Sequence, residues 1–371
     1  MTTWRIDGGS EIDRSKPIGF TFEGRAIRGY DGDTIASALL ANGIRVVGRS
    51  FKYHRPRGVW GAGVEEPNAI VDVSGGNRPA PNVRATTEPA QDGVMVRSVN
   101  YSPSALSDRK GFIDLFARFI PAAFYYKTFM WPDWHVFEPR IRAMAGLGTI
   151  DPAWTAAAFA DQVNHHCDLL VIGAGPAGLA AASVAASMGR SVMLVDDQCT
   201  QGGTLRYQKA EIDGLPGAAW VDEIIGRLRV ANCTVLPDTT AFGIYDHNLV
   251  ALSQRQGDKP DTLWRVRPRE IVLATGAIER PLAFANNDLP GIMSADAALQ
   301  YLRRFAVVPG RRIIVATNND SAYAVAAALF ASEAEVTVVD TRVNAPAIEG
   351  ASFVSPAALY PGREGAKPWR R

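Results

Sequence analysis

The stretch Asp168-Leu-Leu-Val-Ile-Gly173-Ala-Gly175-Pro-Ala-Gly178 constrains the fold of this 371-residue chain more than any other. An apolar strand runs into a glycine turn, and Leu179 to Met188 continues as an alanine-rich helix. Each glycine has its own task. Gly173 permits the tight turn, Gly175 lets a pyrophosphate approach the backbone, and Gly178 lets helix and sheet pack closely. The helix N-terminal amides and the positive end of its dipole then face phosphate. Ser191-Val-Met-Leu-Val-Asp196 follows as a second strand, and Asp196 stands 23 residues after Gly173. That is the distance at which a carboxylate accepts hydrogen bonds from an adenosine ribose. An acid there disfavours a 2′-phosphate, because two anions would meet, so NAD or FAD is expected over NADP. Asp197 reads as a solvated neighbour. Gly202-Gly203-Thr204 reads either as a simple turn or as a loop along the pyrophosphate.

From Cys167 onward strands and helices alternate, which is the signature of a parallel, doubly wound sheet. Ile271-Val-Leu-Ala-Thr275-Gly276-Ala277 is a strand ending in a turn. A second strand–turn–helix–strand unit runs from Arg312 to Asp340, with Ala316, Asn318 and Ser321 where the first unit has glycines. Each carries a Cβ that hinders a pyrophosphate, so this unit reads as a structural pseudo-site. Ahead of Cys167, Phe20 to Ile27 reads as a hairpin. Asp33 to Gly43 reads as a helix capped by Asp33, and Ala69 to Val73 as a short strand. Together these suggest a β-grasp module. Gly111 to Ile120 is helical by period and opens an aromatic-rich connector that includes Trp131 and Trp134.

Composition narrows the function. The formal charge is +1, which argues against nucleic acid or an acidic membrane as a partner. No signal-peptide h-region and no apolar run of membrane-spanning length is seen, and three cysteines suit a reducing compartment. A soluble cytoplasmic protein is expected. Cys199 and Cys233 form no CxxC pair, and His165-His166-Cys167 lacks a second cluster at ligand spacing, so it reads as a linker and no metal site is expected. Phe51-Lys52-Tyr53-His54-Arg55-Pro56-Arg57-Gly58 is basic and interleaved with aromatics; a solvated loop, a cofactor or partner contact, and a nucleic-acid contact stay open for it. No spacing suggests a catalytic triad or carboxylate pair, so no catalytic residue is assigned.

Gly32-Asp33-Thr34, Arg49-Ser50-Phe51-Lys-Tyr-His-Arg-Pro-Arg-Gly, Glu66-Pro67-Asn68 and Thr317-Asn318-Asn319-Asp320-Ser321-Ala322-Tyr323, together with the glycine motif, resemble the alpha subunit of heterotetrameric sarcosine oxidase over roughly residues 10–345. The Ala274-Thr275-Gly276 turn resembles the crossing point of pyridine-nucleotide-disulfide-reductase-like flavoproteins. The resemblance implies an α/β chain. A cluster-less, ferredoxin-like β-grasp module (1–98) and a helical connector (99–166) would be followed by a two-dinucleotide Rossmann-type FAD/NAD(P) fold. The first nucleotide domain would span 167–310 and a degenerate second one 311–345, before a disordered tail at 346–371. The family's chain is longer, so the fold is expected to be incomplete at its C-terminus and the chain inactive alone. The implied reaction is oxidative demethylation of sarcosine to glycine, formaldehyde and hydrogen peroxide, with the amine oxidised on a beta subunit. NAD is implied in this chain, and FMN and FAD in a complex that includes smaller subunits. By position, Ala177, Asp196, Asp197, Gln198, Thr204 and Ala241 would touch the NAD. With no cysteine before Cys167, an iron–sulfur cluster is not expected. Rival readings are a self-sufficient FAD-dependent amine or NAD(P)H oxidoreductase, an opine, proline or glycine dehydrogenase subunit, and a non-enzymatic NAD-binding scaffold.

Overall fold

The computed structural model describes residues 4–342 except 77–78, 102, 121–127, 151–159, 232 and 258, together with 352–354. The tail expected at 346–371 lies outside the described residues apart from 352–354. Two compact units form: residues 1–151 with 279–371, and residues 152–278.

The first unit opens with the hairpin of β1 (Asp13–Phe22) and β2 (Arg25–Asp31). Glu23 and Gly24 both have positive φ, 52° and 76°, as a two-residue turn between twisted strands requires. Helix α1 (Ile35–Ala41) follows. Its cap is Thr34, not Asp33 as the sequence suggests. Thr34 and Ser37 form a reciprocal capping box. The Asp33 carboxylate instead accepts from Arg5, from the Tyr30 amide and from the Ser37 hydroxyl. The short strands β3 (Gly48–Arg49) and β4 (Pro56–Arg57) pair with each other. β5 (Ile70–Ser74), β6 (Ala80–Arg84) and β7 (Met95–Ser98) complete a five-stranded sheet of order β2-β1-β7-β5-β6, in which β1 and β7 run parallel. One face of this sheet is closed by α1, every residue of which is buried. The segment Arg109–Phe119 is a 3₁₀ helix rather than the expected α-helix, and α2 (Trp134–Ala145) follows it.

The second unit is a six-stranded sheet of order β12-β9-β8-β15-β14-β13. β8 (Asp161–Ile172) enters the glycine turn, α3 (Pro176–Ser187) leaves it, and β9 (Val192–Val195) returns parallel beside β8. The two-residue strands β10 (Glu211–Ile212) and β11 (Leu215–Pro216) precede α4 (Gly217–Val230) and β12 (Thr234–Leu236). Three strands, β13 (Thr239–Tyr245), β14 (Leu249–Gln256) and β15 (Lys259–Leu273), make an antiparallel meander, and β15 rejoins the sheet parallel to β8. Val171, Leu179, Ala182, Leu194, Trp220, Ile224 and Leu228 form the core between this sheet and helices α3 and α4.

The chain then returns to the first unit. Helix α5 (Ala295–Phe305) is capped by Ser294. It inserts Tyr301 and Phe305 into the same core as Phe20, Ile27, Ile35 and Leu39. β16 (Arg312–Thr317), α6 (Ser321–Phe330) and β17 (Glu335–Asp340) form the second strand–helix–strand motif, and β18 (Ser352–Val354) pairs with β17.

Candidate functional site

The glycine loop sits between β8 and α3. Gly173 has φ +104°, a conformation that L side chains rarely adopt. Its amide donates to Val195 O at 2.8 Å, which ties the turn to β9. A Cβ at this position would collide with the carbonyl of Ala274, the residue after β15, so there is room for hydrogen only. Gly178 is tighter still: a Cβ there would clash with Gly173 O, 3.0 Å from its carbonyl carbon and 3.2 Å from the Ala274 methyl. Gly175 differs in kind. It is the N-cap of α3 at φ −73°, and the nearest atom to a Cβ built on it is Gly203 Cα at 4.0 Å. Gly173 and Gly178 are thus dictated by the fold, whereas Gly175 faces open space at the mouth of the loop. Ala177 is exposed in the first turn of α3. Because proline at the first helical position has no amide to lose, Pro176 suits this start.

Asp196 directly follows β9 and is half-buried. Its carboxylate accepts from the Ala174 amide inside the glycine loop and from Gln198 N at 2.9 Å, so the acid and the loop are one hydrogen-bonded body. Asp197 is exposed and accepts from Gln198 Nε2 at 3.2 Å. Thr204, also exposed, lies in the 3₁₀ turn Gly203–Arg206, which is held by Gly202 N donating to Ala174 O at 2.8 Å. Ala241 lies on β13 beside a register shift, opposite Leu252. That strand is linked to the site by Thr239 N donating to Asp196 O at 2.7 Å. Gly276, at φ +74°, has nothing within 4 Å of where a Cβ would be. The structure therefore gathers Gly173, Gly175, Gly178, Asp196, Gln198 and Thr204 around one loop and sets Ala241 and Gly276 on the segments that flank it.

Two participants escape sequence reasoning. Ala274 backs the glycine turn with its carbonyl, and only the fold brings it there. Asp238, at φ +49°, donates its amide to Gln198 O, and burial pushes its carboxyl above the ordinary value. A single acid in a turn gives no sequence signal. Cys167, buried in β8, has its thiol pushed up to about 11 by burial, so it is a packing residue rather than a nucleophile.

The second strand–helix–strand motif has the same shape with different contents. Asp340 ends β17 fully buried. The Arg342 guanidinium hydrogen-bonds its carboxyl and holds it at about 2, below the ordinary 3.8. A carboxyl depressed in the folded state stabilises above its unfolded value and loses that contribution as pH falls through the folded value. Protection of the β17 amides, relative to intrinsic exchange at each pH, is therefore expected to be full above about pH 4 and to fall toward about pH 2; mass-spectrometric exchange across that range checks it.

The basic run 51–58 is spent within its own unit. His54 Nδ1 lies 2.7 Å from Asp108 Oδ2, both side chains being buried. Tyr53 Oη donates to Ile120 O, Arg55 reaches Asn286 and Asp288, and Arg57 also pairs with Asp288. Next to it, the loop 60–69 folds around Glu66, which is 1% exposed. One carboxylate oxygen accepts from Trp60 N and Gly61 N, both at 2.7 Å. The other accepts from Asn68 N at 2.6 Å and Ala69 N at 2.9 Å.

Comparison with known proteins follows the same division. Residues 15–101 match the family described as a 2Fe-2S iron-sulfur cluster binding domain, and residues 167–348 match the pyridine nucleotide-disulphide oxidoreductase family. The sarcosine oxidase alpha subunit of Rhizobium meliloti (strain 1021) is 44% identical over 99% of the chain. This chain belongs to the sarcosine oxidase alpha-subunit family. It covers 39% of that relative's length, and 32% of the Corynebacterium sp. (strain U-96) alpha subunit, to which it is 38% identical. An opine oxidase subunit of Rhizobium meliloti (strain 1021) is 31% identical over 52% of the chain and 42% of its own length. The L-proline dehydrogenase structure from P. horikoshii shares the fold, with a TM-score of 0.61 at 23% identity over 90% of this chain and 56% of that one.

The first family match corrects the expectation of no iron–sulfur cluster, since the N-terminal module matches a cluster-binding family. The residues present do not supply the ligands of that family's cofactor: the matched segment 15–101 holds no cysteine, and a cluster is held by cysteine thiolates. Among the described residues no group of three or more His, Cys, Asp and Glu is placed to hold a metal ion. No helix among them is long and apolar enough to cross a membrane.

Proposed function

We propose that this chain is the nucleotide-holding part of an alpha-type subunit in an oxidoreductase acting on CH–NH groups, and that the Gly173–Gly178 loop holds NAD. The observation that carries the reading is the contrast among the glycines. Two are required by the fold, while Gly175 leaves open the approach that a pyrophosphate takes. The α3 amides would receive the phosphates. Asp196 would accept from a ribose hydroxyl while holding Ala174, and its charge together with that of Asp197 opposes a 2′-phosphate, favouring NAD over NADP. Bound NAD supplies a two-electron hydride couple.

The names of the relatives support sarcosine as the secondary amine; on the reading proposed, it is oxidised on a partner subunit to glycine, formaldehyde and hydrogen peroxide. Three free cysteines suit a reducing cytoplasm. The test is to purify the chain, denature it and identify the released nucleotide by chromatography and absorbance. NAD without flavin is expected. FAD would overturn the NAD assignment and favour a self-sufficient flavoenzyme.

A further inference from the structure

A dinucleotide on a strand–helix–strand motif needs two places: the helix N-terminus for its pyrophosphate and the acid at the end of the second strand for its ribose. In the motif β16–α6–β17 both are filled by the protein's own groups. Asp340 Oδ1 accepts from the Arg342 amide at 2.8 Å and from Arg342 Nε at 3.1 Å. Asp340 Oδ2 accepts from Arg342 Nη2 at 2.7 Å and from the Tyr323 hydroxyl at 2.9 Å. These four bonds use the acceptor capacity that a carboxylate would otherwise offer a ribose. The same Nη2 reaches Asp320 Oδ1 at 2.7 Å, and Asp320 is the N-cap of α6. The Asp320 carboxylate makes no cap hydrogen bond to α6, so it sets a negative charge at the start of the helix, where a phosphate would have to approach. The next amide, Ser321 N, is already taken by Asn319 Oδ1 at 3.0 Å, and Asn319 N is held by Thr317 Oγ1 at 3.1 Å.

We propose that Arg342 closes the second nucleotide motif by bridging Asp320 and Asp340, so that this chain takes a single dinucleotide. The loss of three glycines hinders the pyrophosphate; the clamp removes the ribose and phosphate partners as well. The functional consequence is that two nucleotides cannot exchange a hydride on this chain. Any electrons leaving a nucleotide at the first motif must pass to a redox group that this motif does not hold.

The test is equilibrium dialysis of the full chain against NAD and against AMP. Four proteins are compared: the wild type, Gly175→Val, Gly175→Val with Arg342→Gln, and Gly175→Val with Asp320→Ala. The first substitution blocks the first motif, so this design rests on the proposed NAD site. The clamp predicts that Gly175→Val retains neither probe at millimolar concentration. Opening the clamp in that background is expected to raise AMP occupancy at least about tenfold. Two bound equivalents of NAD in the wild type overturn the proposal, as does the absence of a gain in both opened proteins; one equivalent held alike by the wild type and Gly175→Val contradicts the first-site reading instead. Asp320 is 77% exposed at its side chain, so its substitution leaves the Asp340–Arg342 pair in place and removes only the charge at the start of α6; a gain smaller than that of Arg342→Gln is expected there, and no gain contradicts the phosphate half of the proposal should Arg342→Gln unfold. A wild type that binds no NAD contradicts the first-site reading, while the two opened proteins still decide the clamp.

Discussion

Glu66→Ala lowers the melting temperature of the first unit by roughly 10 °C. The Glu66 carboxylate receives four backbone amides, and two of them, on Gly61 and Ala69, belong to buried residues. A buried donor left without an acceptor costs about 1–3 kcal/mol, and four donors sharing one acceptor group do not add independently, so the loss is of order 4 kcal/mol. The damage extends beyond the loop. Tyr301 Oη donates to Gly61 O at 2.9 Å, Ser294 N donates to Trp60 O at 2.9 Å, and Thr86 Oγ1 donates to Gly63 O at 2.7 Å. Helix α5 is therefore anchored on the loop that Glu66 shapes. Glu65→Ala is the control: its carboxylate takes two amides, Ala62 N and Gly63 N, so its loss costs less. Differential scanning calorimetry of the three proteins measures this. Equal melting of Glu66→Ala and wild type contradicts the account of the loop.

The second large effect separates two glycines that a motif treats alike. Gly178→Ala places a Cβ against the Gly173 carbonyl, which is backbone and cannot rotate away. Either the turn or the α3–β15 contact must shift, at about 3 kcal/mol or more, and the second unit is expected to melt early or express poorly. In Gly175→Val the backbone is already ordinary for an L residue, and a Cβ meets nothing closer than 4.0 Å. Its stability changes by about 1 kcal/mol, mainly through a poorer N-cap. Its side chain, however, fills the approach to the loop.

What the sequence makes legible is chemistry that depends on residue type at short range. The glycine motif, Asp196 just after β9 and the Glu23-Gly24 turn can be read because each lies in a short local pattern, with glycine at the turn and an acid where the strand stops. The helix cap is displaced by one residue, since Asp33 and Thr34 are both good caps and only the tertiary partner Arg5 decides between them. For Arg109–Phe119, the i, i+3 spacing of Ile113, Phe116 and Phe119 suits a 3₁₀ helix as well as an α-helix. Glu66 is illegible as a hub because a lone acid usually marks surface, and its four partners come from loop geometry. The joining of α5 to the N-terminal core is likewise invisible, because Tyr301 meets Gly61 only after the intervening unit has been looped out. The basic run reads as a solvated or ligand-facing surface, and its acids, Asp108 and Asp288, lie far along the chain.

The central claim is that the open face of Gly175 is where NAD crosses the loop. Calorimetric titration of NAD into wild type and Gly175→Val, with melting measured on the same samples, tests it directly. The account predicts saturable binding by the wild type and at least about tenfold weaker binding by a variant that still melts within a few degrees of it. Equal affinity in two equally folded proteins would place the nucleotide elsewhere and contradict the account.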